Sequence, residues 1–300
     1  MTAFALRGAR WRRRAAPYLL LSPAFALMAL LVLLPVASAA NMSFYNYVLT
    51  RPWAYRFVGL DNYARALADP IFVQAIGVTA VWIAGVVGLQ LAIGLLFALV
   101  LNENIRFRGA LRSLVLVPWA TPSVICAFIF MWLLDGNHGI VNAILLGLGV
   151  IAQPIQWLST PGVSLWAAII ALVWHGAPFF AVMLLAGLQT ISDEYYEAAE
   201  IDGAGAWQRF RYVTFPLLLP TMLVTVLLRV IWTANHVEIP LVMTQGGPAN
   251  SATTLAILTI VTARGRLDYG YAASLSMWLA ALLAVVAVAY LRHRARRLPT

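Results

Sequence analysis

The sequence predicts an all-α membrane protein with six transmembrane helices. Three observations carry this reading. The composition is 62% hydrophobic and only 10% charged. Six apolar runs are each long enough to cross a bilayer, which takes roughly 20 residues. The arginines crowd into alternate loops between those runs. A soluble domain carries about 25% charged residues, so this chain lacks the charge to cover a water-exposed surface.

The runs occupy residues 17–40, 72–101, 113–134, 163–189, 217–237 and 269–291, with Arg229 interrupting the fifth. A further apolar stretch, residues 140–152, is too short to span and reads as an interfacial or partly buried segment on the outer side. Arginine positions set the orientation. Arg7, Arg10, Arg12, Arg13 and Arg14 precede the first run, and Arg106, Arg108 and Arg112 separate the second from the third. Arg209 and Arg211 separate the fourth from the fifth, and Arg292, Arg294, Arg296 and Arg297 follow the sixth. The opposite loops hold only Arg51, Arg56, Arg65, Arg264 and Arg266. The positive-inside rule then places both termini in the cytoplasm. A seventh span would carry the C-terminal arginines to the wrong side. The expected organisation is an Arg-rich cytoplasmic N-terminus (1–16), one transmembrane domain (17–291) and a cytoplasmic tail (292–300). The N-terminal arginines, the first run and Ala37-Ser38-Ala39 also resemble a cleavable secretory signal. The run is longer than a signal core of about 7–15 residues, and cleavage would leave five spans, so it is read as a retained anchor.

Composition also limits function. All 20 basic residues are Arg. A phosphate-binding P-loop needs a Lys to reach the β- and γ-phosphates, so this chain is not a P-loop ATPase by itself. If ATP drives it, another subunit hydrolyses the ATP. The single cysteine, Cys126, lies in an apolar run, which excludes an intrachain disulfide and makes a metal site implausible. The net charge of +9 follows membrane topology, not nucleic-acid binding.

Five of the 11 acidic residues sit between the fourth and fifth runs, in Ser192-Asp193-Glu194-Tyr195-Tyr196-Glu197-Ala198-Ala199-Glu200-Ile201-Asp202-Gly203. Ser192 suits an N-cap, acids in the first turn suit the helix dipole, and Gly203 suits a C-terminal stop. Residues 204–212 can resume as a second short helix, with Pro216 and Pro220 opening the fifth span. The physics alone leaves two readings open, a solvated connector or a docking element on the cytoplasmic surface.

At this loop the chain resembles the permease subunits of ABC importers. They carry Glu-Ala-Ala, three residues, Gly, nine residues, then Ile-x-Leu-Pro. Here Glu197-Ala198-Ala199 is followed after three residues by Gly203 and after nine more by Val213-Thr214-Phe215-Pro216. Val58-Gly59-Leu60-Asp61-Asn62-Tyr63, Thr244-Gln245-Gly246-Gly247-Pro248 and Tyr269-Gly270-Tyr271-Ala272-Ala273 further resemble the carbohydrate branch that includes the maltose, trehalose and glycerol-3-phosphate permeases. The resemblance implies a type I ABC importer permease fold in a bacterial inner membrane. It also implies that residues 192–215 form a coupling loop that docks on a cytoplasmic ATPase. Within it Glu197 is the expected ion-pair partner, Ala198 and Ala199 permit close approach, Gly203 makes the turn, Pro216 opens the following span, and Asp202 is a further expected coupling residue. The implied partners are a second, different permease, two ATPases that bind ATP and Mg, an extracytoplasmic solute-binding protein, and a sugar or sugar derivative. No cofactor is implied for this chain.

Polar groups within a bilayer are costly and usually face a cavity or partner. Arg229, Trp232, Thr233 and His236 fall at i, i+3, i+4 and i+7, one face of a helix. Leu172, His175, Gly176 and Phe179 repeat that spacing in the fourth run, where Pro178 is expected to kink the helix. A cation, aromatic plates, a hydroxyl and imidazoles suit a polyol ligand. By resemblance to the maltose permease, these eight positions match its sugar contacts, although Arg229 and His236 stand where smaller neutral groups occur there. Blander readings stay open: Trp232 and Phe179 as packing or lipid-facing groups, the histidines as satisfied core residues, Leu172 as packing, Arg229 as partner to Glu238 or to the second permease. Trp119, Trp132, Trp157 and Trp166 read as interface markers. Arg229 with two histidines also raises an anionic sugar or polyol as the cargo. A secondary transporter would need intramembrane carboxylates, and none lies in a run. A membrane enzyme would need a metal-binding or nucleophile motif, and none occurs.

Overall fold

In a computed structural model of the chain, residues 17–297 are described, with side chains to Arg292. The first five arginines and Leu298–Thr300 lie outside the described residues. In chain order the elements are α1 (Pro17–Met42), the short strands β1 (Tyr45–Asn46) and β2 (Arg56–Phe57), and α2 (Asp61–Ala68). Then follow α3 (Pro70–Asn102), α4 (Arg108–Ala120), α5 (Ser123–Leu133), α6 (Ile140–Gly147), α7 (Val163–Leu188) and α8 (Asp193–Ile201). The chain continues as α9 (Ala206–Ala234), α10 (Glu238–Thr244), α11 (Leu255–Gly265) and α12 (Tyr269–Arg297).

Five helices, α1, α3, α7, α9 and α12, are long and apolar enough to cross a membrane on their own. The sixth expected span is not one straight helix. It is the pair α4 and α5, bent by 91° at Thr121-Pro122. Pro122 cannot donate a backbone hydrogen bond and pushes Thr121 out of the helical region, and Thr121 has ψ 129°. The sequence count of apolar residues is blind to such a break.

Two compact units divide the chain. One combines the chain up to Ala68 with Thr262–Met277. Its β1–β2 hairpin pairs Tyr45 with Phe57 and Asn46 with Arg56. Asn62 Nδ2 donates to the carbonyls of Ser43 and Tyr45, both at 2.9 Å. Arg65 bridges to the buried Asp268 at 2.8 Å and lies over the Tyr271 ring at 4.1 Å. The sequence motif around Asn62 thus interlocks with the one that opens the last span. Gly270 lies against the backbone of Tyr45, where an added Cβ would collide with the carbonyl oxygen.

The other unit combines Asp69–Val261 with the chain from Trp278. Asp69 caps α3 by accepting from Ile71 N at 2.9 Å, with Pro70 in the first turn. At its centre is α7, whose apolar window is 72% buried and which packs most extensively on α3, and also on α4, α9 and α10. The helix runs through Pro178 without a break. The expected non-spanning stretch forms α6, also too short to cross. The Thr244–Pro248 segment is a tight turn in which Gln245, Gly246 and Gly247 all have positive φ. Helix α11 has no counterpart among the apolar runs, because its 11 residues are too few for a span.

The fifth span begins earlier than expected. Instead of a separate short helix and then a proline start, α9 is continuous through a π turn at Phe210–Thr214. Phe215 N bonds back to Phe210 O, five residues away. Widening the turn there relieves the clash that Pro216 would make with the carbonyl four residues before it. The same device recurs in α1, where a π turn at Ala29–Leu33 precedes Pro35.

Gly270→Ala is expected to cost on the order of 1–3 kcal/mol through overpacking against a backbone atom. The measurement is the midpoint of thermal unfolding of the purified protein in detergent; an unchanged midpoint would contradict the close approach.

Candidate functional site

Two clusters emerge from the expected residues, both in the unit centred on α7. The first is the loop around α8. Ser192 occupies the N-cap position, but its side chain makes no capping hydrogen bond. Asp193 and Glu194 fill the first turn. At the other end Gly203 has φ +76°, Gly203 N bonds to Glu200 O at 3.0 Å and Ala204 N to Ala199 O at 2.9 Å. This paired pattern is a Schellman motif, and its left-handed residue is why a glycine is needed there. Tyr196 Oη lies 3.1 Å from Thr214 Oγ1, and Glu200 pairs with Arg209. The loop is therefore clamped onto the first turns of α9. Its outer surface is left open: Glu197, Ala198 and Asp202 are exposed, Ile201 is 87% exposed and Trp207 72%. Pro216 lies two residues beyond the π turn.

The second cluster joins α3, α7 and α9. Arg229 is only 7% exposed. Its Nε donates to Gln90 Oε1 at 2.6 Å, and Gln90 Nε2 donates to Leu172 O at 2.6 Å. No acidic side chain pairs with Arg229 among the described residues, Glu238 included. Gly176 makes room for this arrangement, since an added Cβ would meet the Arg229 guanidinium and the Gln90 amide. Thr233 is buried, and its carbonyl accepts from Trp82 Nε1 at 2.9 Å. His175 Nε2 lies 3.0 Å from Thr121 O, the carbonyl at the break between α4 and α5. A carbonyl only accepts, so the hydrogen is on Nε2 and Nδ1 is left over.

The expected eight residues do not all share one surface. Leu172 is fully buried, as packing. α9 ends at Ala234, so His236 is not on the helical face that its spacing implied; its ring nonetheless lies 6.5 Å from that of His175, tilted by 39°. Phe179 is buried, while Trp232, 5.1 Å from it, and Trp119, 6.2 Å from it, are half-exposed. A cavity of about 960 Å³, lined among others by Leu95, Leu99, Glu103, Tyr196 and Trp207, lies at the base of the loop and not at Arg229.

Comparison with known proteins decides the family. Residues 90–297 match the family described as the binding-protein-dependent transport system inner membrane component. The chain belongs to that family. It is 36% identical to the sulfoquinovosyl glycerol transport system permease SmoG of Agrobacterium fabrum, covering 94% of this chain and 93% of that one. It is equally 36% identical to the trehalose/maltose transport system permease MalF of Thermococcus litoralis, over 94% and 95% of the two chains. Its fold matches a crystal structure of a bacterial ABC transporter that imports the acidic polysaccharide alginate, with a TM-score of 0.80, 22% identity, and 98% and 100% coverage.

Within this inner-membrane component the residue that sequence reading missed is Gln90. It lies in the middle of a long apolar run, and a lone amide there is costly enough to have been a signal. Trp82 was missed for the opposite reason, because an indole in an apolar helix reads as packing.

Gly176→Ala is expected to displace the guanidinium and cost about 1–3 kcal/mol, and Gln90→Leu to cost a similar amount by orphaning Arg229 Nε. Both are read as lowered unfolding midpoints of the purified permease. Wild-type midpoints in both would contradict the three-helix link.

Proposed function

We propose that this chain is the permease subunit of an ATP-driven importer that moves a sugar or sugar derivative from an extracytoplasmic binding protein into the cytoplasm. The observation that carries this reading is the clamped loop with an exposed outer surface. An ordered helix ending in a Schellman turn, tied to a span by Tyr196 and Glu200 yet presenting Glu197, Ala198 and Ile201 outward, is suited to docking, since exposed apolar groups beside a charge mark partner surfaces. The partner is a cytoplasmic ATPase that binds ATP and Mg. Two such ATPases act on a pair of permeases, this chain and a different second one. The chain itself has no catalytic role. Arginine bias supports cytoplasmic placement of both termini and of the loop.

The carbohydrate assignment is supported by relatives named for sulfoquinovosyl glycerol and for trehalose/maltose transport, and a second crystal structure of similar fold, a bacterial alginate ABC transporter in complex with a periplasmic protein that holds an alginate pentasaccharide, supports a binding protein as donor. The substrate path is assigned to the facing sides of α7 and α9, where Arg229, Trp232, Thr233, His175, Gly176, Phe179 and the neighbouring His236 gather and Leu172 packs behind. Those helices flank the loop directly, so a displacement of the docked loop moves the walls of the path.

Gly203→Pro cannot adopt the positive φ of the turn. It is expected to lower binding-protein-stimulated ATP hydrolysis by the reconstituted importer about tenfold or more, with membrane abundance unchanged. Full hydrolysis in that variant would remove the coupling role.

A further inference from the structure

We propose that Arg229 is the receptor for an oxyanion, such as a carboxylate, sulfonate or phosphate, carried by the transported sugar or polyol. The inference rests on the reading that α7 and α9 line the substrate path, and it names the cargo class. A cation enclosed among apolar helices ordinarily has an anionic partner. Among the described residues its partner is the neutral amide of Gln90, at 2.6 Å. That amide is oriented by its own bond to Leu172 O, so it holds Arg229 Nε and leaves the two terminal nitrogens as a fork. Such a fork fits an oxyanion through two parallel hydrogen bonds.

The surroundings fit the rest of a sugar. Thr233 Oγ1, His175 Nδ1 and His236 Nε2 are buried and have no hydrogen-bond partner among the described residues. Each is a hydrogen-bonding capacity that the chain does not use and that a hydroxyl can satisfy. They belong to the same wall, since Thr233 follows Arg229 by one helical turn and the two imidazoles stand 6.5 Å apart. Phe179, with Trp232 and Trp119 at 5.1 and 6.2 Å, adds aromatic surface for the apolar side of a ring. Gly176 lets the guanidinium settle against α7, which fixes the direction in which the fork is held. Arg229 is thus the specificity-determining residue, and Gln90 positions it.

The test uses the complete importer, reconstituted in nanodiscs, with Trp232→Cys as a reporter. The native Cys126 is buried and stays silent. A neutral water-soluble maleimide reacts with the thiolate, so labelling reports water at that position. Glucuronate and glucose 6-phosphate are the anionic probes, and glucose is the neutral one. The expected result is labelling that either anion blocks at roughly tenfold lower concentration than glucose, an advantage lost with Arg229→Gln and retained with Arg229→Lys. Labelling that glucose blocks as well as the anions do, that no anion blocks, or that keeps its anion preference in Arg229→Gln would overturn the inference and leave the path reading standing. No labelling at all would overturn the path reading, and the inference with it.

Discussion

The hydrogen bond from Arg229 Nε to Gln90 Oε1, 2.6 Å long, joins the fifth span to the second, and the bond from Gln90 to Leu172 O brings in the fourth. In a bilayer there is no water to take over these valences, so a polar group either finds a partner in another helix or exacts several kcal/mol. Three helices are thereby held to one register. Gly176 is a consequence of that register, because any Cβ would occupy the place of the guanidinium. The break at Thr121-Pro122 follows the same logic: the Thr121 carbonyl, left outside both helices at the break, is met by His175.

The polar link and the α8 loop share α9. From Ala206 to Arg229 the helix covers about 35 Å at 1.5 Å per residue, continuous through the π turn that accommodates Pro216. The loop is fastened to the near end by Tyr196–Thr214 and Glu200–Arg209. A rigid element with an exposed loop surface at one end and a polar cluster towards the other can serve long-range coupling, since contacts at either end bias the position of one body. The unpaired capacities of Thr233, His175 and His236 sit where that body meets α7.

Much of this was legible in the sequence because its causes are local. Span length, arginine bias, the acidic first turn of α8 and the left-handed glycine at its end are each set by a short stretch of residues. The pairing of Arg229 with Gln90 was not legible, since it joins residues 139 apart and the partner is uncharged. Nor was the bend of the third span, because apolar content is the same whether a helix runs straight or turns by 91°. His236 shows the limit of periodicity arguments. Its i+7 spacing implied a shared face, yet the helix ends two residues earlier, and it reaches His175 from the connection that follows.

The most direct measurement of the central account is recovery of the tagged chain from native membranes, with mass spectrometry of what accompanies it, beside a Glu197→Arg twin. The account predicts a second permease and a Lys-bearing P-loop ATPase with the wild-type chain, and a weakened ATPase with the twin. Recovery of the chain alone, or equal ATPase with both forms, would contradict it.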